Sequence, residues 1–199
     1  MVRPAGAGDV GVLGRLIAQL YDFELPGMLR GEVAARVEAG RRLVAATPLG
    51  GRFVVVRDGV VVATGSLATR DAPRPSTPPS ALLALPSVMG ARDAALSLVG
   101  VLRGILTIAA PPAADEAQLH SVVVDDRVRG QGAGLRIVRH LEGLAAAAGK
   151  RRTVLQVVAS NTGARAFYRA LGYEETGPAH GRLRNTVAFP SVLMSRPLA

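Results

Sequence analysis

The stretch from Val122 to Gly134 constrains this chain more than any other. Three consecutive β-branched residues, Val122, Val123 and Val124, mark a buried strand. The chain then passes through Asp125-Asp126-Arg127-Val128-Arg129 to glycines at 130, 132 and 134. Beyond them Ile137, Leu141, Leu144 and Ala148 recur on one face, which predicts a helix from Gly134 to Ala148. A strand that runs through a glycine-rich loop into a helix N-terminus leaves main-chain amides without intrahelical acceptors, and such amides bind diphosphate. Two nucleotide motifs do not fit. Gly134 is followed by Leu135 where a Walker loop needs Lys-Ser/Thr, and Gly149-Lys150-Arg151-Arg152 stands where a dinucleotide fold needs a ribose-binding acid.

Around this unit the pattern is mixed α/β. Val2 to Ala5 reads as a short strand. Val12, Leu13, Leu16, Ile17 and Leu20 give a helix capped by Asp9, which the segment Tyr21 to Gly27 is expected to break. A second helix fits Gly31 to Ala46. Two β-branched runs, Arg52 to Arg57 and Val60 to Leu67, meet at Asp58-Gly59 and predict a hairpin. Prolines at 73, 75, 78 and 79 forbid regular structure there, and one or two helices follow before Pro111-Pro112. The apolar stretch Ala94 to Ala110 contains Arg103, so it reads as an insertion that packs on the domain, lids a substrate site or meets a second copy, with no membrane span. Downstream come strands at Leu119 to Val124 and Thr153 to Ala159, then a helix from Asn161 to Leu171. Closing strands are expected at Tyr173 to Thr176 and Val187 to Met194, with Pro190 at a bulge or edge.

Composition sets limits on function. The chain has 199 residues, 49% of them hydrophobic, enough for one domain with a real core. It has no cysteine, which excludes a disulfide framework and a thiolate nucleophile. His120, His140 and His180 are too scattered to suggest a metal cluster, so no metal is expected. The first residues lack a basic segment followed by an apolar run, and a cytoplasmic location is the expectation. Residues 127 to 199 hold twelve basic side chains against Glu142, Glu174 and Glu175 and carry the whole net charge of +9. With 4% aromatic residues there is no stacking platform, so no specific nucleic-acid partner is expected.

Arg129-x-x-Gly132-x-Gly134, followed by Asn161-x-x-Ala164-x-x-Phe167-Tyr168-x-x-x-Gly172-Tyr173, resembles the two spaced motifs of the GNAT superfamily of acyl-CoA-dependent N-acyltransferases. The resemblance spans the chain except for an insertion at about 71–115. It implies a single α+β domain over 1–199 with a mixed, mostly antiparallel sheet flanked by helices, and the insertion between the third and fourth strands.

Acetyl-CoA is the implied cofactor. Amides of Arg129, Gly130, Gln131, Gly132, Ala133, Gly134 and Leu135 would cradle its diphosphate, the backbone of Val122 and Val124 would pair with the pantetheine arm, and Asn161 would touch that arm. An amide near Val123 would meet the oxyanion. Arg165 is a candidate for further phosphate charge, as are Arg127 and Arg169; each also reads as part of a solvated basic face. Asn161 also reads as a plain helix cap.

Transfer from a thioester to an amine needs a neutral amine, a stabilised oxyanion and a proton for the leaving thiolate. Tyr168 matches the family's usual acid. For the base, Glu116, Gln118 and His120 share one strand face. Family members often carry a glutamate near Gln118, so Glu116 or His120 must substitute. Acceptor contacts are implied for Tyr21-Asp22-Phe23-Glu24 and for His180 to Asn185, where Asp22 and Glu24 would attract a cationic amine and Arg182 and Arg184 would hold a carboxylate or phosphate, so the charges point both ways. The acceptor implied is a small-molecule amine or a peptide. A non-catalytic acyl-CoA-binding module is the alternative.

Overall fold

The computed structural model describes residues 1–108, 110–179 and 189–198. Among the described residues seven strands form one sheet in the order β1-β2-β3-β4-β5-β7-β6: β1 Val2–Pro4, β2 Arg52–Arg57, β3 Val60–Ala68, β4 Glu116–Val124, β5 Arg152–Val158, β6 Glu174–Pro178 and β7 Ser191–Pro197. All neighbours are antiparallel except β4 and β5. The sheet carries helices α1 Val10–Glu24 and α2 Val33–Ala46 on one face. On the other it carries α5 Ala133–Ala147, whose buried Ile137, Val138 and Leu141 share a core with Leu119, Leu155, Tyr168, Tyr173 and Met194. The last helix, α6, covers Thr162–Ala170. α1 packs through Leu13, Leu16 and Ile17 on Val54, Val61 and Val123. It crosses α2 at very close range. A β-carbon on Gly14 would lie 2.5 Å from the Arg41 Cα, so only glycine lets these axes meet.

The insertion consists of a short helix, α3 Pro79–Leu83, and a long one, α4 Pro86–Thr107, which breaks at Gly90. It packs on α2 through Leu85 and Ala94. It also grips the α1–α2 connection, where Gly100 lies against the Met28 backbone, and its last turn reaches β5, where Gln156 Nε2 donates to the Thr107 carbonyl at 2.8 Å. Leu98, Val99, Leu102 and Ile105 remain exposed on its outer side. Among the described residues no helix is long and apolar enough to cross a membrane.

Two local expectations are corrected. α1 does not stop at Tyr21 but runs to Glu24, because no true breaker occurs before Pro26, and Tyr21 still packs inward. Asp9 does not cap that helix through its side chain. It takes a bidentate pair from Arg3 at 2.7 Å and accepts from the Gly6 amide, tying β1 to the helix start. The expected strand at Val187 to Met194 begins, within the described residues, at Ser191. Val187 and Ala188 lie outside them.

Candidate active site

The site is built where β4 and β5 part. Their ladder holds only from Glu116↔Arg152 to Leu119↔Leu155; beyond it β5 continues against β7 and β4 continues alone on that side. An extra residue at this point bulges β4. Thr64 and Ser66 oppose Val123 and His120, and Ser121 takes a positive φ of 51°. The Asp125 amide donates to the Val62 carbonyl at 2.9 Å, so Asp125 and Val123 turn their backbone groups toward β3, and Val122 and Val124 turn theirs into the opening. The Val124 carbonyl is already taken there, by Gln19 Nε2 at 2.9 Å. The backbone of Val122 and the Val124 amide form the rest of the free edge.

The loop after β4 is braced from below. Buried Asp125 accepts from Arg15 and Arg127, each at 2.7 Å, and these guanidiniums hold its carboxyl well below the usual carboxylate range. Gln131 accepts from Arg57, which fixes the loop's far side. Of the amides from Arg129 to Leu135, those of Arg129 and Gln131 make long bonds to Asp126 and Val128 (3.5 and 3.4 Å). Those of Gly130, Gly132, Ala133, Gly134 and Leu135 have no acceptor among the described residues. Gly130 and Gly132 have φ of 77° and 83° with nothing within 4 Å of a built β-carbon, so side chains there would be strained and would crowd an approaching ligand. Gly134 differs: its missing β-carbon makes room for the Phe167 ring. Five unpaired amides at a helix start, next to a free strand edge, fit a diphosphate with an amide-bearing arm.

Glu24, Asn161 and Tyr168 form one linked group. Asn161 caps α6, accepting from the Ala164 amide at 3.0 Å, and its Nδ2 donates to Glu24 Oε1 at 3.0 Å, so it does both things its position suggests. Tyr168 is buried, held edge-on by Phe167 and Tyr173, and its hydroxyl has no hydrogen-bond partner among the described residues. Burial, with a smaller effect of the Glu24 carboxylate, pushes the phenol above its usual range. Burial also raises Glu24, and the Asn161 bond only partly offsets this.

The other predicted residues lie apart from this group. Glu116 starts β4 and accepts from the Ala113 amide at 3.0 Å. It stands six residues before Val122, roughly 20 Å along a strand. His120 enters a cavity on the α1–α2 side, where burial and the charges of Arg74 and Arg52 push its imidazole down to about 2 and keep it neutral. Arg165 and Arg169 both pair with Glu175 (2.8 and 2.7 Å), and Arg165 also donates to the Ala159 carbonyl, so they brace α6 on β6. Arg129 lies over the Phe23 ring at 4.5 Å. The segment His180 to Asn185 lies outside the described residues.

Sequence reasoning treated Glu24 as an attractor for amines in a loop and did not join it to Tyr168. The signal was present: Leu13, Leu16, Ile17, Leu20 and Glu24 continue one helical stripe, and a carboxylate on an inward stripe is rarely idle.

The unpaired amides, the part-free edge of β4 and the buried Tyr168 near Glu24 all lie within the stretch that a family model matches. The model of the GNAT acetyltransferase family matches residues 17–173, and the chain belongs to that family, whose members use acetyl-CoA. No curated protein matches the sequence. Among solved structures it is similar to an N-acetyltransferase from Staphylococcus aureus Mu50 (13% identity, 98% of this chain and 100% of that one, TM-score 0.67). It is also similar to a GCN5-related N-acetyltransferase from Kribbella flavida (20%, 100% and 97%, 0.59). A third is an acetyltransferase from Salmonella typhimurium determined with its cofactor acetyl-CoA (14%, 100% and 94%, 0.54). At these identities the likeness speaks to the fold.

Proposed function

We propose that this GNAT-family acetyltransferase moves an acetyl group from acetyl-CoA to the primary amine of a small molecule or peptide, by direct attack in a ternary complex. The observation that carries the reading is the set of unpaired amides at Gly130 and from Gly132 to Leu135, next to the free backbone of Val122 and the Val124 amide, with Glu24 bonded to Asn161 and near enough to raise the Tyr168 phenol. Acetyl-CoA supplies the activated acyl group. The amides of Gly130 and of Gly132 to Leu135 would hold its diphosphate, and Arg136, which has no ion pair among the described residues, stands one turn into α5 to share that charge. The free edge of Val122 and Val124 would bind the arm, and Asn161 would orient it.

Glu24 takes the base role. Its second carboxylate oxygen has no hydrogen bond among the described residues, and a raised pKa makes it a better proton acceptor than an ordinary carboxylate. His120, pushed down to about 2, is a poor proton acceptor, and Glu116 is remote, so neither is assigned that role. Tyr168, kept protonated by burial, holds the proton that the leaving sulfur needs. Incubating the purified protein with acetyl-CoA and a panel of primary amines tests the reading. Amine-dependent release of free thiol is expected. Tight CoA binding with no release from any amine would instead mark a binding module.

A further inference from the structure

A second polar site lies under α1 and α2, on the opposite side of β4 from α5. Arg52 on β2, Ser66 on β3 and His120 on β4 are cross-strand neighbours in one row, with registers Arg52↔Ser66 and Ser66↔His120. All three reach into a cavity of about 80 Å³, closed by Tyr21 from α1 and Arg74 from the proline-rich loop. Their outer polar atoms, Arg52 Nη1, Ser66 Oγ and His120 Nε2, are buried and make no hydrogen bond among the described residues, and Ser66 is only 3% exposed. Buried polar groups are nearly always paired, so three orphans in one row call for an occupant. His120 Nδ1 lies 3.3 Å from Ser121 Oγ. With Nδ1 accepting that proton, the neutral ring carries its own on Nε2, pointing into the cavity. Arg74 Nη2 reaches the same Ser121 hydroxyl at 3.4 Å. The lining therefore offers donors from two guanidiniums, a hydroxyl and an imidazole, and among the described residues no carboxylate lines it. Burial pulls both arginines below their ordinary range, the mark of cations that lack a counter-ion.

We propose that this row binds a carboxylate of the acceptor substrate. The cavity has room for a small planar oxyanion, and the donors lie in one row across three strands, which suits two coplanar oxygens. His120 and Ser121 directly precede Val122, where the free edge begins, so the acceptor's amine and carboxylate are separated by a short spacer. This rests on the transfer reaction proposed above and adds the acceptor's class to it.

The test compares glycine, β-alanine and 4-aminobutyrate with their amides, and with aminomethylphosphonate, on the wild type, Ser66→Ala and Arg74→Gln. Neither residue belongs to the transfer machinery. The acids are expected to exceed the amides at least tenfold in kcat/KM, and each variant is expected to lower that ratio by about tenfold, through KM, while amide acceptors keep their rates. Equal use of acid and amide, or equal losses for both in the variants, would overturn the subsite. A preference for the phosphonate would overturn the carboxylate assignment. Calorimetry separates this from failure of the reaction itself. Heat with β-alanine but not with its amide, lost in Arg74→Gln, upholds the subsite even if nothing is acetylated, and absence of heat with all three acids refutes it.

Discussion

Replacing Tyr168 by phenylalanine is expected to leave the fold and CoA affinity intact and to lower kcat by about 10²–10⁴-fold, the usual worth of a positioned acid. The ring stays, so its edge-on contacts with Phe167 and Tyr173, at 5.1 and 5.5 Å between centroids, are retained. Only a hydroxyl that bonds to no described residue is lost, and thermal unfolding should shift little. The phenol lies above its ordinary value of 10.0 through burial and, secondarily, through Glu24, so it remains protonated across the working range. Measuring kcat, CoA affinity and Tm on one preparation checks this. Unchanged turnover would remove Tyr168 from the reaction and return it to the core stripe of α6.

Glu24→Gln is expected to cost turnover on a similar scale, about 10²-fold or more, while leaving CoA affinity unchanged. The amide still accepts from Asn161 Nδ2 but takes no proton from an amine. The pH dependence makes the test sharper. Burial raises the Glu24 carboxyl above its ordinary 4.5, so the acidic limb of kcat/KM in the wild type should lie above 4.5 and disappear from the residual activity of the variant. Stability should move the other way. A carboxyl whose folded-state pKa is raised gives its full stabilisation below the unfolded value, and that contribution is lost as pH rises through the folded one. Above that folded-state value the ionised Glu24 is thus a cost, and there Glu24→Gln should be at least as stable as the wild type in a denaturant titration. A variant that loses activity and stability together would point to a structural role for Glu24.

The parts of the molecule that were legible in the sequence share a cause. The strand, glycine loop and helix from Val122 to Ala147, the hairpin at Asp58-Gly59 and the Asn161-capped α6 are all written in short-range patterns of side-chain periodicity and turn chemistry. Family membership could be read from the same segments, because its motifs are local.

What stayed hidden depends on register and reach. Nothing near Ser121 announces that β4 bulges there, since the extra residue is defined only against Thr64 and Ser66 on β3. Arg52, Ser66 and His120 are far apart in the chain and become one row only when three strands align. The place of Glu24 was hidden by the helix end: Tyr21-Asp22-Phe23 looks like a polar break, yet Tyr21 packs inward and the helix runs on to Glu24. A shared strand face with Gln118, which brings Glu116 and His120 forward as substitute bases, is a criterion blind to desolvation and to distance along the strand.

The central claim is that unpaired amides at the start of α5 hold a diphosphate while the open edge of β4 holds the arm that follows it. Isothermal titration of the full chain with coenzyme A and, separately, with pantetheine lacking the diphosphate tests this directly. The account predicts saturable binding of coenzyme A and at least a hundredfold weaker binding of pantetheine, since several charge-assisted bonds are lost together. Equal affinity for the two, or no binding of coenzyme A at all, would contradict it.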